Sequence, residues 1–380
     1  MKRMKHAVWT MRVALPMAIA SCLVAKSAAA ASFTSLNVFG DSLVDSGNLF
    51  NLTSSFSPLG VPAIPPSPPY AQNNSNGPLW IDNVGQALGL APALSTELSL
   101  NPTAPPPTQG INFAFSGALS SDVHNADDDF PALADSLPGF LDQIDAFTAL
   151  SATIPADPDA LHVIWVGAND YYEAFADPDS LGDTPSDQLP NAVTDNILNG
   201  LSQLSSLGAK EFLVVNLPPL GEVPFANTLD TLTGQDISTV LNQLSTAHND
   251  LLAAKLSTIS QSQPETNITA LNANALFTDI LTNPEAFELT NATDACLLNF
   301  QPGFQFDGIC ENPDEFLFWD DVHPTTAAYQ LVSDLALAEL EDDAPPTAVP
   351  EPATPLTTLL LGGMALGTFK TRRWWQRQDS

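Results

Sequence analysis

Between Ser32 and Val349 the chain has no arginine and only two lysines, Lys210 and Lys255. All of its 43 acidic side chains except Glu351 and Asp379 fall in that same stretch, and the whole chain carries a formal net charge of −32. A body of this kind repels phosphate backbones and anionic surfaces, which excludes nucleic acid as a partner. Cysteine is also scarce. Three cysteines in 380 residues cannot build a disulfide scaffold. Neither C-x-x-C nor H-E-x-x-H occurs, so no metal or other cofactor is implied. Gly-x-Ser-x-Gly is absent too, which argues against the strained nucleophile turn of the common α/β-hydrolases. The chain does not lack apolar residues: at 44% they can fill a large core, so the acidity does not signal disorder.

The missing basic residues are gathered at the two ends. Lys2, Arg3, Lys5 and Arg12 precede an apolar run from Val13 to Ala25, and Ser27 to Ala31 offers small residues for cleavage, so residues 1–31 read as an export signal. Ile19-Ala20-Ser21-Cys22 overlaps it and resembles a lipobox, which would make Cys22 a lipidated first residue. Either processing route exports the mature chain. At the other end an acidic, proline-containing linker (341–349) leads to Pro350-Glu351-Pro352. An apolar stretch from Leu356 to Phe369 and the basic Lys370, Arg372 and Arg373 follow. That stretch is shorter than the ~20 residues of an ordinary membrane span. The order of its parts resembles a PEP-CTERM sorting tail, which implies an exosortase-like sorting machinery as partner for residues 350–380 and a cell-surface or extracellular destination.

The body, 32–340, reads as one domain. Five β-branched or apolar runs stand out: Thr34–Phe39, Asn112–Phe115, Leu161–Val166, Glu211–Asn216 and Asn267–Leu271. Segments of helical spacing lie between and after them, among them Ile81–Leu90, Val193–Leu207, Ile237–Leu256 and Thr326–Leu340. Strands alternating with helices argue for an α/β fold, a parallel sheet covered on both faces. Pro58 to Tyr70, with six prolines, reads as a loop.

Four histidines remain in the body. His124 sits in the acidic loop before Asn125–Asp129 and reads as a solvated residue; His162 and His248 read as structural. His323 follows Asp320 by three residues, a spacing that lets the carboxylate fold back on the imidazole and stabilise it when charged. Three expected strands end at Gly40-Asp41-Ser42, Ser116-Gly117 and Gly167-Ala168-Asn169, and ligands of parallel sheets bind beyond the carboxyl ends of strands. A serine there can supply a nucleophile, a glycine a close backbone N–H, and an asparagine a donor to a developing oxyanion. Asp41, Asp45 and Asp170 beside these turns read as caps.

These blocks carry a specific resemblance. Phe39-Gly40-Asp41-Ser42-Leu43 through Asn48, Ile111–Ala118, Val166–Asp170 and Phe318–Thr325 resemble, in order, the four conserved blocks of the GDSL (SGNH) hydrolases. Ser75-Asn76-Gly77-Pro78, Gly208-Ala209-Lys210 and Asn216-Leu217-Pro218 are similar to lesser segments of the same family. The resemblance implies a single three-layer α/β/α domain on a five-stranded, flavodoxin-like parallel sheet. It implies an esterase or lipase without cofactor, in which Ser42 is the nucleophile, His323 the base, Asp320 its orienting partner, and Ser42, Gly117 and Asn169 the oxyanion hole. The likeness is greatest to the bacterial phospholipase, lecithinase or haemolysin-like branch. Lipid, short-acyl and acetylated-polysaccharide esters all fit as substrates. Ser116-Gly117 replaces a common pair of glycines, and Asp321 a common glycine, which bears on substrate range. The alternative is a non-catalytic polysaccharide-binding or adhesion module on the same fold, which would not need Ser42, Asn169 and His323 together. Export, finally, pairs Cys296 with Cys310 as the expected disulfide, since Cys22 leaves with the signal.

Overall fold

The computed structural model describes residues 33–342, excepting positions 102, 104, 126–135, 153–155, 177–187 and 302. The export signal, the linker beyond Asp342 and the sorting tail lie outside the described residues. The chain enters at β1 (Leu36–Gly40), then forms α1 (Asn48–Ser55), α2 (Trp80–Leu88), β2 (Ala93–Leu94), α3 (Ser95–Leu100) and β3 (Ile111–Asn112). α4 (Phe140–Ser151), β4 (Leu161–Trp165), α5 (Ala168–Ala176), α6 (Leu189–Ser206) and β5 (Glu211–Val215) follow. Next come α7 (Pro224–Thr233), α8 (Ile237–Ser262), β6 (Asn267–Leu271) and α9 (Ala273–Thr282). The last part contains β7 (Asn291–Ala295), β8 (Leu297–Leu298), β9 (Gly308–Ile309), β10 (Phe316–Phe318) and α10 (Thr326–Asp342).

β1 and β4 are buried at every residue, as central strands covered on both faces must be. The main sheet has the order β2-β3-β1-β4-β5-β6 with all pairs parallel, in register from Leu36 opposite Leu161 to Gly40 opposite Trp165. It therefore has six strands, not five. The added one, β2, is a two-residue edge strand too short to show any periodicity. The run Asn112–Phe115 also departs from expectation, because only Ile111–Asn112 lies in the sheet. The Asn48 amide donates to the carbonyls of Asn112 and Ala114 at 2.8 and 2.9 Å, so a side chain satisfies backbone groups that a strand would have paired.

Right-handed crossovers put the helices of β1-to-β3 on one face and those leading toward β6 on the other. α2 and α10 pack together on the first face, and α4, α6 and α8 form the second layer. Phe39 stacks on Phe113 at 5.3 Å on one side of the sheet, while Trp80 meets Trp165 edge-on at 5.5 Å. α10 continues through Asp342, so the first two residues of the acidic linker are helical. A smaller cluster of Tyr70, Leu297 and Trp319, edged by Phe300 and Phe304, surrounds a Cys296–Cys310 disulfide that closes the β8–β9 hairpin. No helix among the described residues is long and apolar enough to cross a membrane.

Candidate active site

The strand order reverses at β1, whose neighbours β3 and β4 lead the chain in opposite directions. In such a sheet the crevice beyond the strand ends is where ligands bind. Ser42 stands on the turn leaving β1, and that turn is fixed from several sides. The Gln143 side chain of α4 accepts from Gly40 N–H at 2.8 Å and donates back to the Gly40 carbonyl at 2.9 Å. Asp41 Oδ1 accepts from Leu43 N–H at 3.0 Å, and Trp80 Nε1 donates to the Leu43 carbonyl at 3.0 Å. Gly40 has φ +150°, and a Cβ there would run into the Trp165 carbonyl, so no other residue fits at the strand end. Asp45 caps α1 through the N–H groups of Gly47, Asn48 and Leu49 and also accepts from Ser116 N–H at 2.9 Å, joining the first two blocks.

His323 lies between β10 and α10. The Trp319 N–H donates to the His323 carbonyl at 2.7 Å, and Ser75 Oγ donates to the Pro324 carbonyl at 2.9 Å. Asn76 Oδ1 accepts from Thr326 N–H at 2.8 Å. The Ser75-Asn76-Gly77-Pro78 segment thus anchors the histidine loop across some 250 residues of sequence. His323 Nε2 lies 2.8 Å from Ser42 Oγ. Its Nδ1 lies 2.9 and 2.8 Å from the two oxygens of Asp320. A carboxylate can only accept there, so Nδ1 carries the proton and Nε2 is left to accept from the serine. Asp320 Oδ1 also accepts from the N–H groups of Val322 and His323 at 3.0 and 2.8 Å.

Burial works against the imidazolium, but the charge and hydrogen bond of Asp320, with Asp321 and Asp41 behind it, outweigh that and raise His323 above the ordinary histidine value. Burial likewise disfavours the Asp320 anion, and the His323 charge and hydrogen bond with two backbone donors hold it below the usual range. Asp41 is pushed up to about 7 by burial, and Asp321 to about 7 by burial and the Asp320 charge. Asp321 therefore gives the site an acidic neighbour where glycine is the expected residue. Asp321→Asn removes a charge that favours imidazolium wherever Asp321 is ionised, from about pH 7 upward, which lowers the His323 pKa there and leaves more neutral base near neutrality. We expect kcat/KM to rise by up to about threefold near pH 7, with the profile well below 7 and the plateau little changed, read from a pH–rate profile.

Gly117 and Asn169 line the same cavity of about 850 Å³ as Ser42 and His323. Gly117 has φ +93°, and a Cβ there would strike the side chains of His124 and Asn125. Asn169 does not cap its helix. Its Nδ2 donates to the Ala118 carbonyl at 3.0 Å, which fixes the amide plane and leaves the second N–H of that amide to point elsewhere. Asp170 accepts from Ser120 N–H and Oγ at 2.9 and 2.6 Å, so its role is structural as expected, but it ties α5 to the segment after β3 instead of capping the turn beside it. His162 and His248 belong to the core, and burial lowers them to about 4 and about 3. His124 differs from expectation. It is 2% exposed rather than solvated, and its Nε2 donates to the Ser116 carbonyl at 2.7 Å, because an antiparallel bridge with Ala118 turns His124 back toward Gly117. Two residues that motif reasoning missed also serve the site: Gln143, through Gly40, and Tyr70, whose hydroxyl donates to Asp320 Oδ2 at 2.8 Å.

A serine hydroxyl facing a carboxylate-oriented imidazole, at the carboxyl edge of a parallel sheet, defines a serine hydrolase. The chain belongs to the GDSL-like lipase/acylhydrolase family, whose model matches residues 36–336. It is 30% identical over 331 residues to a GDSL esterase/lipase of Arabidopsis thaliana, covering 81% of this chain and 89% of that protein. It is 26% identical over 352 residues to the phosphatidylcholine-sterol acyltransferase of Aeromonas hydrophila, covering 82% and 91%. The protein is a serine ester hydrolase.

Proposed function

We propose that the protein is an exported esterase that cleaves neutral carboxylic esters through an acyl-serine intermediate on Ser42. The observation that carries this reading is the 2.8 Å contact of Ser42 Oγ with His323 Nε2, with Asp320 on the far side of the ring. Ser42 attacks the ester carbonyl as its proton passes to Nε2, and Asp320 stabilises the imidazolium so formed. The N–H groups of Ser42 and Gly117 and the Asn169 amide receive the negative oxygen. His323 then protonates the leaving alcohol, and a water deprotonated by His323 releases the acid. The retained Ser42, Asn169 and His323 speak against a purely adhesive or polysaccharide-binding module.

The cavity wall favours an apolar acyl group over acetate alone. Leu49, Ile64, Leu137, Val223 and Phe225 all line it. The acidic body disfavours anionic esters at long range, within the reach that salt allows. The likeness to the Aeromonas hydrophila acyltransferase supports the bacterial phospholipase-like branch. Against a p-nitrophenyl acyl series, kcat/KM is expected to rise from acetate to medium chains by at least about tenfold, the gain from about two methylenes received by the wall at about 0.8 kcal/mol each. A maximum at acetate would instead favour acetylated polysaccharides.

Export is supported by the basic and apolar N-terminus and by the Cys296–Cys310 disulfide, a bond that persists in oxidising compartments. The Pro350-Glu351-Pro352 tail would then deliver the enzyme to the cell surface through exosortase-like machinery. A mature cell-surface protein beginning near Ser32 supports this, and an intact leader on an intracellular enzyme would overturn it.

A further inference from the structure

We propose that Tyr70 is a positioning residue for the catalytic carboxylate, fixing the rotation and the charge of Asp320 through its hydroxyl. The inference rests on the reading of Asp320 as the partner that orients His323.

The two oxygens of Asp320 are held in different ways. Oδ1 accepts from two backbone N–H groups of its own turn, those of Val322 and His323. Oδ2 accepts from Tyr70 Oη at 2.8 Å and faces His323 Nδ1 at 2.8 Å. The tyrosine therefore contributes the long-range donor, 250 residues away in sequence, that keeps the carboxylate from turning about its Cβ–Cγ bond. Tyr70 is itself held firmly. It is 2% exposed, its N–H donates to the Pro66 carbonyl at 3.2 Å, and its ring meets Phe304 edge-on at 5.5 Å and Trp319 at 6.1 Å. Phe304 lies in the loop that the Cys296–Cys310 disulfide closes, so the staple and the proline-rich segment together form the socket for one hydroxyl. Burial and the neighbouring charges of Asp320 and Asp321 raise the phenol well above its ordinary value, so it stays a donor across the working range.

The consequence for His323 has a definite sign. The charged groups acting on His323 are Asp320, Asp321 and Asp41. Tyr70 draws off part of the negative charge of the nearest one. Without the hydroxyl, Asp320 favours the imidazolium more strongly, and the neutral base is populated only at higher pH. A stronger donor at the same place acts in the opposite direction.

The test uses the mature enzyme with two replacements that keep the ring bed: Tyr70→Phe, and 3-fluorotyrosine at position 70, whose more acidic phenol is the stronger donor. A pH–rate profile with p-nitrophenyl esters is recorded for each, with Ser42→Ala in parallel. Tyr70→Phe is expected to lower kcat about tenfold, the scale of a lost hydrogen bond to a charged group, with KM within twofold. Its acid limb of kcat/KM moves to higher pH, and that of the fluorotyrosine enzyme to lower pH. A tyrosine that merely fills space would change thermal stability without these opposed displacements. Unmoved acid limbs in both proteins, with Ser42→Ala inactive, would overturn the role of Tyr70 and leave the esterase reading intact. An active Ser42→Ala enzyme would overturn that reading itself.

Discussion

Ser42→Ala is expected to lower kcat by roughly 10⁴-fold or more while the folded protein persists. Among the described residues it is the Ser42 hydroxyl that faces His323 Nε2, at 2.8 Å, in place to form the acyl bond, and its loss leaves binding and the oxyanion donors. The turn that carries it is fixed by other atoms: the Gln143 pair on Gly40, the Asp41 carboxylate on Leu43 N–H and the Trp80 indole on the Leu43 carbonyl. None of these involves the serine side chain. The urea midpoint should therefore stay within the range of an ordinary surface change, about 0.5 kcal/mol. A variant that lost its fold along with its activity would show that Ser42 holds the turn instead of acting from it.

Asn169→Ala should reduce kcat by about 10²–10³ with little change in KM, because its amide meets the substrate oxygen only as negative charge develops there. Asn169→Asp should be at least as harmful, since a carboxylate would face the forming oxyanion. It would also lose the donor that now reaches the Ala118 carbonyl at 3.0 Å. A residue whose only work was to cap α5 would behave differently, because aspartate caps as well as asparagine and would preserve turnover. Measuring kcat, KM and the urea midpoint of both variants separates the two roles.

The parts of this site that were legible in the sequence are those fixed by local chemistry. Leu161–Val166, Glu211–Asn216 and Asn267–Leu271 are apolar or β-branched runs, and all became strands with ends displaced by at most a residue. The Asp320-x-x-His323 spacing folds back on itself within one turn, so the pair could be read without knowing the fold. Other features depend on contacts that no local pattern announces. Tyr70 ends a proline-rich run whose composition says that it turns but not where it goes, and its partner is 250 residues away. Gln143 is a polar residue on the buried side of α4, and only the presence of Gly40 beneath it explains its place. β2 escaped because two residues carry no period, and His124 because acidic neighbours suggest solvent when its bridge with Ala118 in fact turns it in toward Gly117. Asn48 replaces part of a strand's pairing with a side chain, which shortens β3 to two residues.

The central claim is that Ser42, activated by His323 and Asp320, carries the acyl group. The most direct measurement is covalent trapping with an alkyl fluorophosphonate, followed by intact-mass and peptide analysis of the inactivated enzyme. The account predicts one adduct per chain, located on Ser42, with residual activity falling in proportion to labelling and no adduct on the Ser42→Ala protein. Full inactivation with the adduct on another residue, or undiminished esterase activity after Ser42 is fully labelled, would contradict it.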